Sequence, residues 1–156
     1  MEAVPEPFES DYESAAESPG FLLWQVTNLW QRQMRAVLKD VDLTHVQFVL
    51  LASLAWLCRD DRAVVSQSAL AQHARIDVMM TSQVLRTLEQ KGFIERTAHP
   101  HDTRANALSV TPQGHLLAQR AIGLVEAADR RFFGPLGRDI PKLNDALRTL
   151  AGGGDE

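Results

Sequence analysis

Apolar residues recur at helical spacing along most of this 156-residue chain, and only a short central stretch alternates between apolar and polar positions. The longest apolar segment runs from Pro19 to about Lys39, and its first half is apolar almost all round. A helix of that kind needs cover on every side, from its own chain or from another. A second buried helix is predicted from Thr44 to about Cys58, because Thr44 and Gln47 have the spacing of a capping box.

The segment from residue 66 to residue 92 predicts a helix-turn-helix. Ser66 or Ser68 can cap a first short helix, since either hydroxyl can accept a bond from an otherwise unpaired backbone N–H. A second helix is predicted from Val78 to Lys91, with Asp77 as its N-cap. Gly92 ends it, at a position where a left-handed residue is needed.

The second of these helices has two chemically different faces. Its apolar stripe repeats at i, i+3, i+4 and i+7, through Thr81, Val84, Leu85 and Leu88. The opposite face carries Met79, Ser82, Gln83, Arg86 and Gln90. Arg can fork onto a guanine edge and Gln onto adenine, while Ser or Met can meet a phosphate or a thymine methyl. We therefore expect a DNA major groove to receive Ser82, Gln83 and Arg86, with Met79 as an apolar contact; the alternative is a solvated polar face.

Two short strands joined by a turn are predicted next. Phe93 to Thr97 and Ala105 to Thr111 alternate with a period of two, and Pro100 and Asp102 supply turn chemistry between them. At or near the tip of this hairpin stand His99, His101 and Arg104. A cation on a hairpin beside a recognition helix can reach the adjacent minor groove. Ala63 to Val65 is a candidate third strand beside this wing.

Two more apolar helices complete the pattern. Thr111 at the N-cap and Pro112 at the first helical position open a helix that runs to about Phe133, where Gly134-Pro135 breaks it. A last helix is predicted from roughly Asp139 to Ala151. These terminal helices would expose large apolar patches if left alone, which usually marks an association surface.

The net charge of −4 argues against DNA binding at first sight. However, residues 1 to 20 hold six acids and no Lys or Arg, so the rest of the chain has 16 basic and 14 acidic residues. The segment 66 to 120 has six basic and four acidic residues. This basicity is weak for a DNA-binding lobe, so affinity should depend on placed contacts and fall at high salt.

Several motifs in a fixed order resemble the MarR (multiple antibiotic resistance regulator) family. The run LEQKGFIER, the Asp102-x-Arg104 pair and LSVTPQG match most closely, and DLTHVQFVLLASLAWL from Asp42 and SALAQHA from Ser68 fit the same pattern. The resemblance covers about residues 21 to 133 and departs at Thr103, where many relatives carry Arg or Lys. It implies a mainly α fold with a small β-wing, a winged helix-turn-helix plus N- and C-terminal dimerisation helices.

The resemblance also implies a function and a division of the chain. It implies a homodimeric transcription regulator, most often a repressor, whose recognition helices lie about 34 Å apart on a pseudo-palindromic operator. Residues 19–40 are then the N-terminal dimerisation helix, 42–112 the DNA-binding lobe and 112–151 the C-terminal dimerisation helices. Residues 1–18 are expected to be an acidic flexible tail on composition alone, because acids, Ser and two Pro with few large apolar side chains cannot bury enough surface to order the segment. An arm that lies on the DNA-binding surface or the partner subunit is the alternative for the tail.

Individual residues take roles from the same resemblance. Asp102 is expected to brace the wing, whose basic residues enter the minor groove, and Ser68 joins the candidate DNA contacts. Relatives often bind small aromatic molecules between the dimer helices and the winged lobe, and such an effector would release the DNA. Candidates for lining that pocket are Trp24, Trp30 and His45. The alternative is that the tryptophans belong to an ordinary dimer core.

Other classes of function fare less well. The chain has no Gly-rich phosphate loop, nucleophile elbow or paired-carboxylate site, so it is expected not to be an enzyme and to need no cofactor. No metal site is predicted at His99 to Asp102, because neighbouring residues of a hairpin tip seldom converge on one ion. The weak basicity keeps a winged-helix protein-interaction module without DNA binding as an alternative.

The one cysteine bears on compartment and regulation. Cys58 is alone, so no intrachain disulfide is expected, and no signal peptide or membrane span is recognisable. A cytoplasmic location follows as the expectation. Cys58 is predicted to be a small packed residue, and a redox-responsive regulator is the alternative that the nearby Arg59 and Arg62 keep open.

Overall fold

Six α-helices and a three-stranded antiparallel sheet form the parts of the chain that the computed structural model describes, residues 8–101 and 106–152. In chain order these are α1 (Pro19–Leu38), α2 (His45–Leu57), β1 (Val65–Ser66), α3 (Gln67–Ala74), α4 (Val78–Gln90), β2 (Ile94–Ala98), β3 (Asn106–Val110), α5 (Pro112–Phe133) and α6 (Ile140–Leu150). Short 3₁₀ segments lie at Ala15–Glu17, Lys39–Val41 and Gly134–Asp139. The predicted mainly helical fold with a small β-wing is confirmed.

The helices begin where the sequence places their caps. In α2 the Thr44 hydroxyl accepts a bond from the Gln47 N–H at 3.2 Å, and the Gln47 side chain accepts one from the Thr44 N–H at 3.0 Å. This completes the predicted capping box. At the start of α5, the Thr111 hydroxyl accepts a bond from the Gly114 N–H at 3.0 Å, with Pro112 at the first helical position.

The core lies where α1, α2, α4 and α5 meet the sheet. Its fully buried large side chains are Met34, Leu38, Leu50, Leu51, Leu54, Leu70, Leu85, Leu88 and Ile94. Only the second half of α1 contributes to it, and α6 has no buried residue. The first half of α1 is exposed although it is strongly apolar, through Phe21, Leu22, Leu23, Trp24, Val26 and Leu29.

The third strand is shorter than predicted and lies later in the chain. Strand order is β1-β3-β2, with both Val65 and Arg96 opposite Leu108 of the central strand. The predicted strand at 63 to 65 is wrong in its first two residues. The Ala63 N–H bonds the Asp60 carbonyl at 2.8 Å, so the backbone there is closed into a turn and cannot pair with β3.

The predicted break after α5 is also different in detail. The chain continues from Gly134 to Asp139 as a 3₁₀ segment, because proline is tolerated in the first turn of a helix and Pro135 stands there. The change of direction falls at Gly137, whose φ of 51° lies in the left-handed region that glycine enters without strain. As a result α6 begins at Ile140 and ends at Leu150.

Among the described residues, no single helix has both the length and the apolar character of a membrane span. The pair Pro19–Val41 and His45–Leu57, bent by 74° at the break, meets both criteria when its two segments are taken together.

Candidate nucleic-acid interface

The helix-turn-helix is built from α3, a tight turn and α4. Of the two candidate caps for α3, Ser66 is the one used, since its hydroxyl accepts a bond from the Ala69 N–H at 3.1 Å. Ser68 instead lies exposed on the first turn of α3. Arg75 ends α3 in the left-handed region at φ 55°, and the chain then turns toward α4.

Asp77 accepts hydrogen bonds from two residues at the start of α4. Its carboxylate accepts a bond from the Met80 N–H at 2.9 Å, and its backbone carbonyl accepts one from the Thr81 hydroxyl, also at 2.9 Å. Thr81, Leu85 and Leu88 are fully buried. The stripe that the sequence predicts therefore faces the core, and the opposite side of α4 faces solvent.

The solvent face of α4 presents the predicted groove residues together. Met79, Gln83 and Arg86 are exposed, and Ser82 is half-buried. The Arg86 guanidinium donates a bond to the Ser82 hydroxyl at 3.4 Å, one helical turn away. A guanidinium and an amide therefore stand side by side on an open helix face, which is the chemistry that reads guanine and adenine edges.

Sequence reasoning missed two apolar side chains in the first turn of α4. Val78 and Met80 are 56% and 47% exposed, next to Met79 at 81%. Exposed apolar groups at the end of a recognition helix that enters a groove first can contact thymine methyl groups. The run VMM directly after the Asp77 cap was the available signal.

The wing is described only in part. At the end of β2 the His101 N–H donates to the Nδ1 atom of His99 at 3.1 Å, and the two rings pack edge to face with centroids 6.3 Å apart. His101 is exposed and His99 is half-buried. The predicted roles of Asp102 and Arg104 fall on residues outside the described ranges.

A dense joint connects the base of the wing to α5. The Thr111 hydroxyl donates to the Gly92 carbonyl at 2.7 Å, and the Thr111 N–H donates to the Phe93 carbonyl at 3.0 Å. A Cβ on Gly114 would stand 2.0 Å from that same Phe93 oxygen, so only glycine fits. Thr111 and Pro112 predict the start of this helix, but no pattern in the sequence indicates the close approach at Gly114.

Of the three candidate ligand-binding residues, two lie together. The Trp30 indole donates to the Asp129 carboxylate at 2.8 Å, and its ring packs edge to face with His45 at 5.1 Å between centroids. Burial lowers the pKa of His45 below its usual 6.5, and Arg35 lowers it further against the opposing effect of Asp129. Trp24, on the exposed half of α1, is 67% exposed and is not part of this cluster.

Cys58 has the environment of a packed residue. Its thiol is half-buried and donates to the Leu108 carbonyl at 3.7 Å. Burial raises the pKa of this thiol, which is the opposite of what a reactive thiolate needs. In the part of the chain that the structure describes, no group of three or more His, Cys, Asp or Glu side chains could hold a metal ion.

Comparison with known proteins agrees with this geometry. The model of the MarR family matches residues 43–105. The chain is 44% identical over 126 residues to the uncharacterised HTH-type transcriptional regulator YdcH of Bacillus subtilis, covering 81% of this chain and 85% of that one. It is 32% identical over 131 residues to the HTH-type transcriptional repressor Rv2887 of Mycobacterium tuberculosis, covering 84% and 89%.

Solved structures share the fold. The transcriptional repressor CouR, bound to a 23-mer DNA duplex, is 27% identical with a TM-score of 0.78, over 92% of this chain and 99% of that one. CouR from Rhodococcus jostii bound to p-coumaroyl-CoA superposes with a TM-score of 0.79 at 23% identity, over 93% and 99%. An exposed recognition helix, a wing beside it and relatives of this similarity lead to one conclusion: the chain belongs to the MarR family of transcriptional regulators, and it is not an enzyme.

Proposed function

We propose that this protein is a repressor that binds a pseudo-palindromic DNA operator as a homodimer and is released by a small-molecule ligand. The observation that carries the proposal is the solvent face of α4, where Gln83 and Arg86 stand beside each other on a helix held at its start by Asp77. In this proposal Met79, Ser82, Gln83 and Arg86 contact bases or the adjacent backbone in the major groove. Ser68 on α3 contacts a phosphate, and His99, His101 and Arg104 act in the minor groove with Asp102 as the brace.

Apolar surface outside the winged lobe supports the homodimer. The first half of α1 and the whole of α6 leave large apolar side chains exposed, up to 78% at Leu150. A cavity of about 420 Å³ opens among these helices and the end of α5, lined by Leu22, Val26, Trp30, Phe133, Leu143 and Leu147 among others. A second copy presents the same surface, and a twofold axis would bury both at once.

Repression and release by a ligand are supported by the relatives. Rv2887 and CouR are both named repressors, and CouR has been solved both with DNA and with p-coumaroyl-CoA. In this chain the cluster of Trp30, His45 and Asp129 joins α1 and α5 to the start of α2. A small aromatic molecule that binds this junction would change the spacing of the recognition helices, and would act only through its different affinities for the two spacings.

Selection of bound sequences from a pool of random duplexes tests the function directly. The full chain is expected to enrich one palindrome with half-sites one helical turn apart, at both low and moderate salt. The slope of affinity against salt should indicate few phosphate contacts, because the lobe is only weakly basic. Failure to enrich any sequence would reject the proposal and favour a protein-interaction module on the same fold.

A further inference from the structure

Arg96 is a charged residue at an inward-facing position of the wing, and the proposed DNA contacts give it no role. In β2, Ile94 is buried, Glu95 is exposed and Arg96 is again turned inward, with its side chain 20% exposed. Its Nε atom lies 3.1 Å from a carboxylate oxygen of Glu89, and its Nη1 atom donates to the side-chain carbonyl of Gln67 at 3.2 Å. An inward arginine on a strand is unusual, because desolvating a charge is unfavourable without partners.

The two partners of Arg96 belong to different elements of the helix-turn-helix. Glu89 is in the last turn of α4, and Gln67 is the first residue of α3. One guanidinium therefore connects the wing strand to both helices of the motif. The planar guanidinium directs its N–H groups toward both partners in a fixed geometry, whereas the ammonium group of a lysine is a single point charge on a flexible stem.

The third nitrogen of the Arg96 guanidinium, Nη2, is enclosed by the protein. Nη2 of Arg96 is buried without a hydrogen-bond partner, and in the described parts of the chain no other side-chain nitrogen or oxygen shares that condition. Glu89 is therefore the anionic partner of this cation, and the Nη2 atom is shielded from water. Movement of the wing away from α4 would separate this mostly buried charge from Glu89, which is unfavourable.

We propose that Arg96 is a positioning residue for operator recognition, which sets the angle between the wing and α4 so that both elements contact DNA together. This inference rests on the proposed function, because an angle between two DNA-contacting elements matters only if both contact DNA. The Arg96 guanidinium is already bonded to Glu89 and Gln67 and its Nη2 atom is buried, so a direct phosphate contact is not part of the proposal. Its effect therefore passes through the wing and α4.

The test uses binding of the full chain to two probes, the duplex enriched by selection and a scrambled duplex of the same length. The variants are Arg96→Met, Arg96→Lys, Glu89→Gln and the double variant Arg96→Met/Glu89→Gln. Lys91→Met is the matched control, because this substitution also removes one positive charge from the winged lobe. The ion pair of Lys91 with Asp42 is longer, at 3.9 Å, and more exposed than that of Arg96 with Glu89. Urea unfolding of each variant allows affinity to be expressed per folded molecule.

Arg96→Met is expected to weaken binding to the selected duplex about tenfold, while its affinity for the scrambled duplex stays within about twofold of the parent. Arg96→Lys should recover part of the loss, since lysine keeps a charge for Glu89 but not the fork to Gln67. The double variant should bind no worse than Arg96→Met alone, because both changes break one contact. Lys91→Met should resemble the parent on both probes.

Several results would overturn the assignment. Equal losses on both probes, with a shallower salt dependence, would make Arg96 a phosphate contact. Lower stability with unchanged affinity per folded molecule would make it a structural residue only. Additive losses in the double variant would separate Arg96 from Glu89. If the parent enriches no duplex at all, the proposed function fails and this inference with it; if the parent binds and Arg96→Met binds equally well, only the inference fails.

Discussion

At the scale of single residues, the DNA contact proposed for α4 is expected to depend on Arg86 more than on any other side chain. Arg86 is exposed, its guanidinium is oriented by the Ser82 hydroxyl, and it is the only cation on α4. Gln83 stands one turn of backbone closer to the start of the helix. Because a bidentate arginine contact with guanine is the commonest specific contact in a major groove, Arg86 should dominate sequence preference.

Arg86→Ala is expected to weaken binding to the selected duplex by about 1–3 kcal/mol and to relax the preference at one base pair of each half-site. Arg120→Ala is the control, because Arg120 is an exposed cation on α5. Competition binding against single-base variants of the duplex measures both quantities. Equal affinity of Arg86→Ala and the parent for the selected duplex would remove α4 from the groove.

A second residue-scale prediction concerns Gly114. A methyl group there would meet the Phe93 carbonyl at 2.0 Å, and because this neighbour is backbone it cannot swing aside. Gly114→Ala should therefore reduce the free energy of unfolding by several kcal/mol, at least about 2–3. Gly123→Ala on the same helix is the control, since a Cβ there meets nothing within 4 Å, and it should stabilise by about 0.5–1 kcal/mol. Urea unfolding separates the two; similar curves would contradict the close approach.

Residue chemistry was only partly predictable from the sequence. The polar face of α4 followed from helical periodicity, because a thirteen-residue helix with a capped start leaves little freedom in which side chains face out. The roles of Arg96 and Gly114 depend on contacts with Gln67 and Phe93, which lie 29 and 21 positions away in the sequence. Local sequence patterns do not predict contacts between residues so far apart in the chain. The one sequence signal for Arg96 was the alternation of β2, which places it on the same inward side of the strand as Ile94.

At the scale of elements, the junction of α1, α2 and α5 is sensitive to protonation. His45 opens α2, packs on Trp30 and lies near both Arg35 and Asp129. Its pKa is lowered mainly by burial, so the folded chain binds a proton less readily than the unfolded chain does. The neutral ring is the form that this junction stabilises.

The sign of the pH dependence follows from that direction. Stability contributed by neutral His45 is fully present above the ordinary pKa of 6.5 and is lost as pH falls below it, because the unfolded state then takes up more protons. His45→Gln should flatten this part of the profile of unfolding free energy between about pH 7.5 and 5. His115→Gln, a change at an exposed position on α5, should leave it in place. An unchanged slope in His45→Gln would exclude this residue as the source.

Element boundaries were predicted well wherever a capping residue marks them. Thr44, Asp77 and Thr111 each accept the backbone bond expected of them, so α2, α4 and α5 begin where the sequence places them. The errors lie where turn hydrogen bonding decided the outcome, at Ala63 and after Gly134. There the competing structures differ by one or two backbone bonds, and composition does not distinguish them.

At the scale of the whole molecule, the largest group of exposed apolar side chains described above lies on α1 and α6. Here α6 has no buried residue and lies beside the exposed apolar half of α1, and an apolar patch of this kind usually marks an association surface. The sequence indicated this surface through its long terminal apolar runs, but a single chain does not define which residues of a partner cover it. A second copy is the proposed cover.

Leu143→Asp combined with Leu147→Asp is expected to abolish the proposed dimer, because both side chains line the apolar cavity that a partner would close and a carboxylate buried there would be unpaired. The same double variant should bind a full palindrome far more weakly, since two half-sites would no longer be bound together. Val64→Asp, at an exposed position beside β1, is the control and should remain dimeric. Sedimentation equilibrium measures the mass; a parent chain that is already monomeric would end this part of the proposal.

The joint at Thr111 has a mechanical consequence for regulation. One hydroxyl accepts from the first turn of α5 and donates to the carbonyl of Gly92 just past α4, so the two helices are tied within a few ångströms of each other. Rotation of α5 relative to α4 would have to break these bonds and relieve the close approach of Gly114 to the Phe93 carbonyl. A rotation of α5 would therefore carry the winged lobe with it, so in the proposed dimer a bound effector is expected to change the distance between the two lobes more than the shape of either one.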